Sequence, residues 1–144
     1  MSRDSHHVLR DLGNDMLRGM PRLWLGQPLC RFRRMRLSLA AGKRVGHDPA
    51  ARSICDALLA PIPGELTFAL ARRLLAGGLA VSDDEVRHAM AVAFEEYKLV
   101  LEPGGAAALA AALSGKLDLK GKVVAVIASG GNVDRATFAT ALKN

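Results

Sequence analysis

One hydroxyl followed by two glycines, Ser129-Gly130-Gly131-Asn132, stands where an unbroken apolar run, Val123 to Ala128, comes to its end. Paired glycines let backbone approach a ligand closely, and the serine adds one neutral hydrogen-bonding group at that point. The run before it has strand length, is rich in β-branched residues and lacks polar alternation, which is the pattern of a strand covered on both faces in a parallel α/β sheet. Such sheets bind ligands at the C-terminal ends of their strands, where Ser129 falls. Taken by residue type alone, the stretch equally describes a buried strand ending in a polar turn.

The other groups able to do chemistry lead elsewhere. His6, His7, His47 and His88 have no partner motif, and no Ser/His/Asp set is assembled. Cys30 and Cys55 lie far apart without metal-ligand spacing, reading as reduced, intracellular thiols. Asp83-Asp84-Glu85 follow Ser82 at a helix start, where adjacent acids point in different directions and serve the helix dipole better than a metal ion. Ser114-Gly115-Lys116 reads as a helix-end turn with a solvated lysine. Gly77-Gly78 and Gly104-Gly105 are doublets at helix boundaries and make no phosphate-cradling loop.

The elements that position these groups follow from length and patterning. A chain of 144 residues that is 50% hydrophobic fits one domain with a core, and few aromatics beside many Ala, Leu and Val suit α/β layers. Pro61-Ile62-Pro63 blocks helix propagation. The spacing then predicts a helix over Glu65 to Ala76, with Leu66, Ala69, Leu70, Arg73 and Leu74 on one face and Gly77-Gly78 as its stop. A short strand, Leu79 to Val81, precedes a helix capped by Ser82 and running to about Tyr97, with Val86, Ala89, Met90, Ala93 and Phe94 inward. Pro103 opens an Ala-rich helix ending at Leu113 before Gly115, and Asp134 stands near the start of a last helical turn, Thr137 to Lys143. Residues 1–34, interrupted by Gly13, Gly19, Pro21, Gly26 and Pro28, read as an irregular or weakly helical head.

The net charge of +6 is unevenly placed. Residues 1–53 hold eleven Lys/Arg against four Asp/Glu, and residues 54–144 hold nine against ten, so the basic excess belongs to the first third alone. Its densest cluster, Arg31 to Arg36, could meet phosphates, but no recognition motif accompanies it, and a solvated charge run is the simpler account. Nucleic acid is therefore disfavoured as a partner. No run reaches membrane-spanning length and the amino terminus has no apolar signal core, so the expectation is a cytoplasmic protein without a membrane partner.

Four ordered blocks carry a resemblance: Arg52-Ser-Ile-Cys-Asp-Ala-Leu-Leu-Ala-Pro-Ile-Pro-Gly-Glu-Leu-Thr-Phe68, Leu79-Ala-Val-Ser-Asp-Asp-Glu-Val86, Leu101-Glu-Pro-Gly-Gly-Ala-Ala-Ala-Leu-Ala-Ala111 and Ser129-Gly-Gly-Asn-Val-Asp134. From Met35 onward the chain resembles the C-terminal part of the threonine/serine dehydratases, pyridoxal-phosphate enzymes of fold type II that include serine racemase. The resemblance implies an α/β chain, a partial three-layer type II fold over residues 35–144, joined to an unmatched basic head over 1–34. It also implies pyridoxal phosphate as cofactor and an amino acid as substrate, the family reaction being deamination of L-threonine or L-serine to a 2-oxo acid and ammonia. The position of Ser129 implies a hydrogen bond to the cofactor's pyridine nitrogen, with Gly130 and Asn132 shaping the turn. Glu102 falls on the cofactor side. Asp56 and Ala57 match an Asp-Gly pair that runs beside the cofactor in some relatives, and Ala57 departs from that glycine.

The family's Schiff-base lysine, its phosphate loop and its metal-holding acids match no position here, so no catalytic or metal residue is assigned. The expectation is a truncated dehydratase-like chain, inactive alone. A small basic binding protein using the Arg-rich head, or a partner subunit docking on a full-length homologue or forming a homo-oligomer, stays open as the alternative.

Overall fold

Along the residues that the computed structural model describes, 23–28, 34–46, 52–58 and 60–143, the chain forms β1 (Leu23–Pro28), α1 (Arg34–Ala41), a 3-10 turn (Asp56–Leu58), α2 (Glu65–Leu74), β2 (Leu75–Val81), α3 (Asp83–Tyr97), α4 (Pro103–Leu113) and α5 (Arg135–Ala141). β1 and β2 pair in parallel, from Trp24 beside Gly77 to Pro28 beside Val81. Parallel neighbours need a crossover, and the segment holding α1 and α2 supplies it. β1 lies inside the head expected to be irregular. Gly26 and Pro28 discourage a helix, but neither forbids an edge strand, least of all a proline at its last residue. The same pairing moves Gly77-Gly78 from a helix stop into the middle of β2: α2 ends at Leu74 because Leu75 is already extended, at φ −82° and ψ 131°.

α3 begins where Ser82 was expected to cap it. The Ser82 hydroxyl accepts from the Glu85 N–H at 3.1 Å while the Glu85 carboxylate accepts from the Ser82 N–H at 2.6 Å, a complete capping box. Its acids divide the work: Asp83 accepts from the Ser53 hydroxyl at 2.7 Å, and Asp84 pairs with Arg87 at 2.5 Å. Lys116 is no solvated lysine. Its ammonium reaches Glu85 at 2.6 Å and the Ala80 carbonyl at 2.9 Å, tying the turn after α4 to the start of α3. α5 is capped in turn by Asp134, which accepts from the N–H groups of Ala136 and Thr137 at 2.9 Å each. The bonds from Thr137 hold its carboxyl below the usual carboxylate range.

The core is the seam between α3 and α4. Val86, Ala89, Met90 and Ala93 of α3 are buried with Ala106, Ala107, Ala110 and Ala111 of α4, joined by Cys55, Val81, Leu101 and Ala141. Small side chains let the two helices close on each other and convert a nearly featureless sequence into dense packing. Phe94, expected inward, is 37% exposed and meets Phe138 of α5 edge to face, with ring centroids 5.4 Å apart. A second cluster joins Met35 of α1 to Phe68 and Ala71 of α2. The buried face of α2 is thus centred on Phe68, and Leu66, expected inward, is 49% exposed. The partner helix, which periodicity does not reveal, sets that rotation.

The run Val123 to Ala128 departs most from expectation. It is extended, without turn or bend, yet it joins no sheet, and Val123 and Ile127 are 99% and 75% exposed. Apolar content can specify a strand only when neighbours exist to cover it, and among the described residues none pairs with it.

Two measurements follow. Ser82→Ala removes one half of the capping box and lowers unfolding free energy by about 1 kcal/mol, read as a lower urea midpoint at unchanged slope. Burial alone would raise the Glu85 pKa, but the hydrogen bond and charge of Lys116, with the Ser82 bonds, outweigh it and hold the carboxyl below its ordinary value. A depressed folded pKa gives stability that is present above the unfolded carboxylate range and is lost as pH falls through the folded value. The melting-temperature gap between the unsubstituted protein and Lys116→Met is therefore expected at neutral pH and should close on acidification; a gap independent of pH would refute the linkage.

Candidate functional site

Two stretches of backbone meet at the start of α4, and neither leaves room for a side chain on the other. The Glu102 N–H donates to the Gly130 carbonyl at 3.1 Å. A methyl group at Gly105 would stand 1.7 Å from the Ser129 carbonyl oxygen, and one at Gly131 would stand 2.8 Å from the Val100 carbonyl oxygen. Gly130 has φ +79°, and its missing Cβ would fall 2.5 Å from Glu102 Oε1. Three glycines therefore fit this junction for steric reasons, one of them also for its left-handed backbone. Immediately beyond, the Val133 N–H closes onto the Gly131 carbonyl at 2.9 Å, leading to the Asp134 cap.

Glu102 is the N-cap residue of α4 by its backbone, at φ −73° and ψ 159°, but its side chain makes no capping bond. The carboxylate lies over Gly130 instead. Pro103, whose ring presets a helical φ at a position that needs no N–H donor, then starts the helix. Ser129 and Asn132 are exposed on the turn, and among the described residues the Ser129 hydroxyl makes no hydrogen bond. The arrangement is thus a neutral hydroxyl on an open turn whose backbone is held from beneath by a helix start and whose flank carries one carboxylate.

Asp56 and Ala57 approach the same helix start from another side. The Ala57 methyl lies 3.4 Å from where a Gly104 side chain would begin, and the Leu58 Cγ lies 3.6 Å from that point. Asp56 is exposed and accepts from the Ala57 N–H at 2.7 Å. Arg34 of α1 donates to the Leu58 carbonyl, securing the 3-10 turn, and burial pulls its guanidinium pKa below the ordinary value. Ser129, Gly130, Asn132, Glu102, Asp56 and Ala57, scattered over the sequence, are all placed around the first turn of α4. Gly105 and Gly131 were missed as positioning residues. The doublets that contain them were the available signal, but sequence could not say which glycine faces which carbonyl.

Lysine amines are engaged elsewhere. Lys98 donates to the Glu95 carbonyl, Lys116 to Glu85, and Lys122 to the Asp118 carbonyl. No group of three or more His, Cys, Asp or Glu residues suited to a metal ion occurs among the described residues, and no helix among them is long and apolar enough to cross a membrane.

The family described as "Pyridoxal-phosphate dependent enzyme" matches residues 8–130, a span that begins upstream of Met35. Among curated proteins the chain is similar to the phenylserine dehydratase of Ralstonia pickettii, 45% identical over 89 residues that make up 61% of this chain and 27% of that protein. It is also similar to the L-threonine ammonia-lyase of Thermotoga maritima, 40% identical over 57% of this chain and 20% of that one. Its fold is similar to that of the T.th. threonine deaminase, with TM-score 0.75 and 29% identity over 88% of this chain and 46% of that chain. Serine racemase from Dictyostelium discoideum gives TM-score 0.72 and 32% identity over 82% and 37%. The chain thus spans less than half the length of these relatives, and it adopts the α/β arrangement of part of a fold type II enzyme.

Substitution of the two adjacent α4 glycines separates this junction from ordinary helix propensity. Gly105→Ala should loosen the 129–133 turn, raising amide hydrogen exchange there and costing about 1–3 kcal/mol, the usual range for overpacking. Gly104→Ala, whose methyl meets only ordinary contacts, should leave exchange in the turn unchanged; equal responses would argue against backbone contact as the constraint.

Proposed function

The chain belongs to the pyridoxal-phosphate dependent enzyme family, and on that premise we propose that residues 35–144 form the C-terminal portion of a threonine/serine dehydratase-like enzyme. In this reading they supply the surface that meets the ring of the cofactor, and they do not supply its covalent anchor. The observation that carries the reading is the turn itself: a free serine hydroxyl on backbone held in place through Gly105, Gly130 and Gly131. The strand Leu23–Pro28, paired with β2, ties the segment before Met35 to the same body.

The residues present fit one edge of pyridoxal phosphate. A planar aromatic ring with a nitrogen at its margin suits an exposed hydroxyl flanked by glycines, since no side chain intrudes on the approach. When bound, the cofactor supplies an electron sink for loss of the α-proton and β-hydroxyl of a hydroxy-amino acid such as L-threonine or L-serine. The chain's own contribution is to orient that ring. Ser129, being neutral, hydrogen-bonds the nitrogen without delivering the full proton that a carboxylic acid would, which suits β-elimination better than prolonged carbanion chemistry. Glu102 braces Gly130 from the flank, Asn132 continues the turn, and Asp56 with Ala57 borders the opposite side of the α4 start. The phosphate cradle and the amine that would hold the cofactor covalently fit no group placed at this turn, so this chain alone performs no deamination. A cytoplasmic setting, inferred from cysteine usage, belongs to the same reading.

A chimera tests it. Residues 35–144 replacing the corresponding portion of the Thermotoga maritima L-threonine ammonia-lyase should give an enzyme that binds pyridoxal phosphate and releases 2-oxobutanoate from L-threonine. Ser129→Ala in that chimera should lower kcat about tenfold, equivalent to roughly 1.4 kcal/mol or one hydrogen bond of ordinary strength. The 144-residue chain by itself should release none. A folded chimera indifferent to Ser129→Ala, or turnover by the chain alone, would overturn the assignment.

A further inference from the structure

The apolar run left outside any sheet has one face partly seated on the body and the other in solvent. Val124 is 46% exposed and Val126 half-buried, while Val123 and Ile127 on the alternate face are 99% and 75% exposed. Within 123–128 no backbone group pairs with another among the described residues. An extended, uncharged, proline-free segment of β-branched residues with open backbone groups is a template for strand addition.

We propose that two copies of this chain associate by antiparallel pairing of Val123 to Ala128 about a two-fold axis at Ala125. The axis must stand perpendicular to the new two-stranded sheet, so residues of equal facing lie opposite each other. Centring on Ala125 sets Val123 beside Ile127 and Val124 beside Val126 of the second copy, joining β-branched residues on both faces. Charge favours this direction. Parallel in-register pairing would set Lys122 beside Lys122 and Lys120 beside Lys120, like charges directly adjacent. In the antiparallel arrangement each Lys122 lies beside Ala128 of the other copy, next to Ser129 and to Gly130, which the Glu102 carboxylate covers. A cation then approaches an anion at both ends of the pair. The same two-fold symmetry completes the contact with one partner, which opposes open-ended stacking. This inference is independent of the cofactor reading.

Sedimentation velocity of the 144-residue protein should show twice the monomer mass as concentration rises. Ala125→Pro, which removes a backbone donor and blocks the ladder, and Ile127→Lys, which places a charge on the outer apolar face, should each return the protein to monomer without altering its circular dichroism. Disulfide trapping fixes the direction: after oxidation, Ala125→Cys should form covalent dimers, Val123→Cys alone should not, and a mixture of Val123→Cys with Ile127→Cys should. The unsubstituted protein, with Cys30 and Cys55, is the control. A protein monomeric at every concentration overturns the proposal and leaves a different chain as the cover for this strand. Self-linked Val123→Cys, or association that survives Ala125→Pro, overturns it as well.

Discussion

Contact between two backbones with nothing between them is the constraint on which the site depends. The carbonyl oxygens of Ser129 and Val100 occupy the space that Gly105 and Gly131 would need for side chains, and the Gly130 carbonyl accepts the Glu102 N–H. A hydroxyl on a loop is worth little to a ligand if the loop wanders, because each ordering event costs conformational entropy at the moment of binding. Packed against the first turn of a helix, the 129–131 backbone has already met that cost. The same contact explains why Glu102 forgoes its own helix cap: its carboxylate is occupied over Gly130.

That helix start is itself held by the Ala-rich seam with α3. Alanine contributes little apolar area per residue, so the seam gains stability from closeness and continuity more than from bulk. Its ends are secured by polar groups, the reciprocal Ser82 and Glu85 bonds at one and the Lys116 bridge from the turn after α4. The functional turn is thus two steps removed from the core, through α4 and then through glycine contacts, and each step leaves little slack.

The extended segment feeding the turn has no such support. A helix can bury one stripe and expose the rest, but a strand leaves its hydrogen-bonding edges open until another strand arrives. The chain spans less than half the length of its structural relatives and retains their arrangement over most of its own. It therefore carries a site that is locally preorganised beside a sheet element that is not completed within it.

Local chemistry was readable from the residues themselves. The Ser82 cap, the α3 stripe of Val86, Ala89, Met90 and Ala93, the Pro103 start and the Asp134 cap depend on interactions a few residues apart, which one chain's order specifies. The four sequence blocks likewise placed Ser129, Glu102 and Asp56 in one family context. Position across the fold was another matter. Whether Gly77-Gly78 stop a helix or sit in a strand depended on β1, more than forty residues earlier in the chain. Which face of α2 turns inward depended on Met35, and which glycine must lack a side chain depended on carbonyls on a separate segment. The burial of Val123 to Ala128 hung on neighbours that apolar composition can request but cannot provide. Residue order carries short-range capping and periodicity, whereas contacts between distant segments exist only once the chain has folded and their partners are in place.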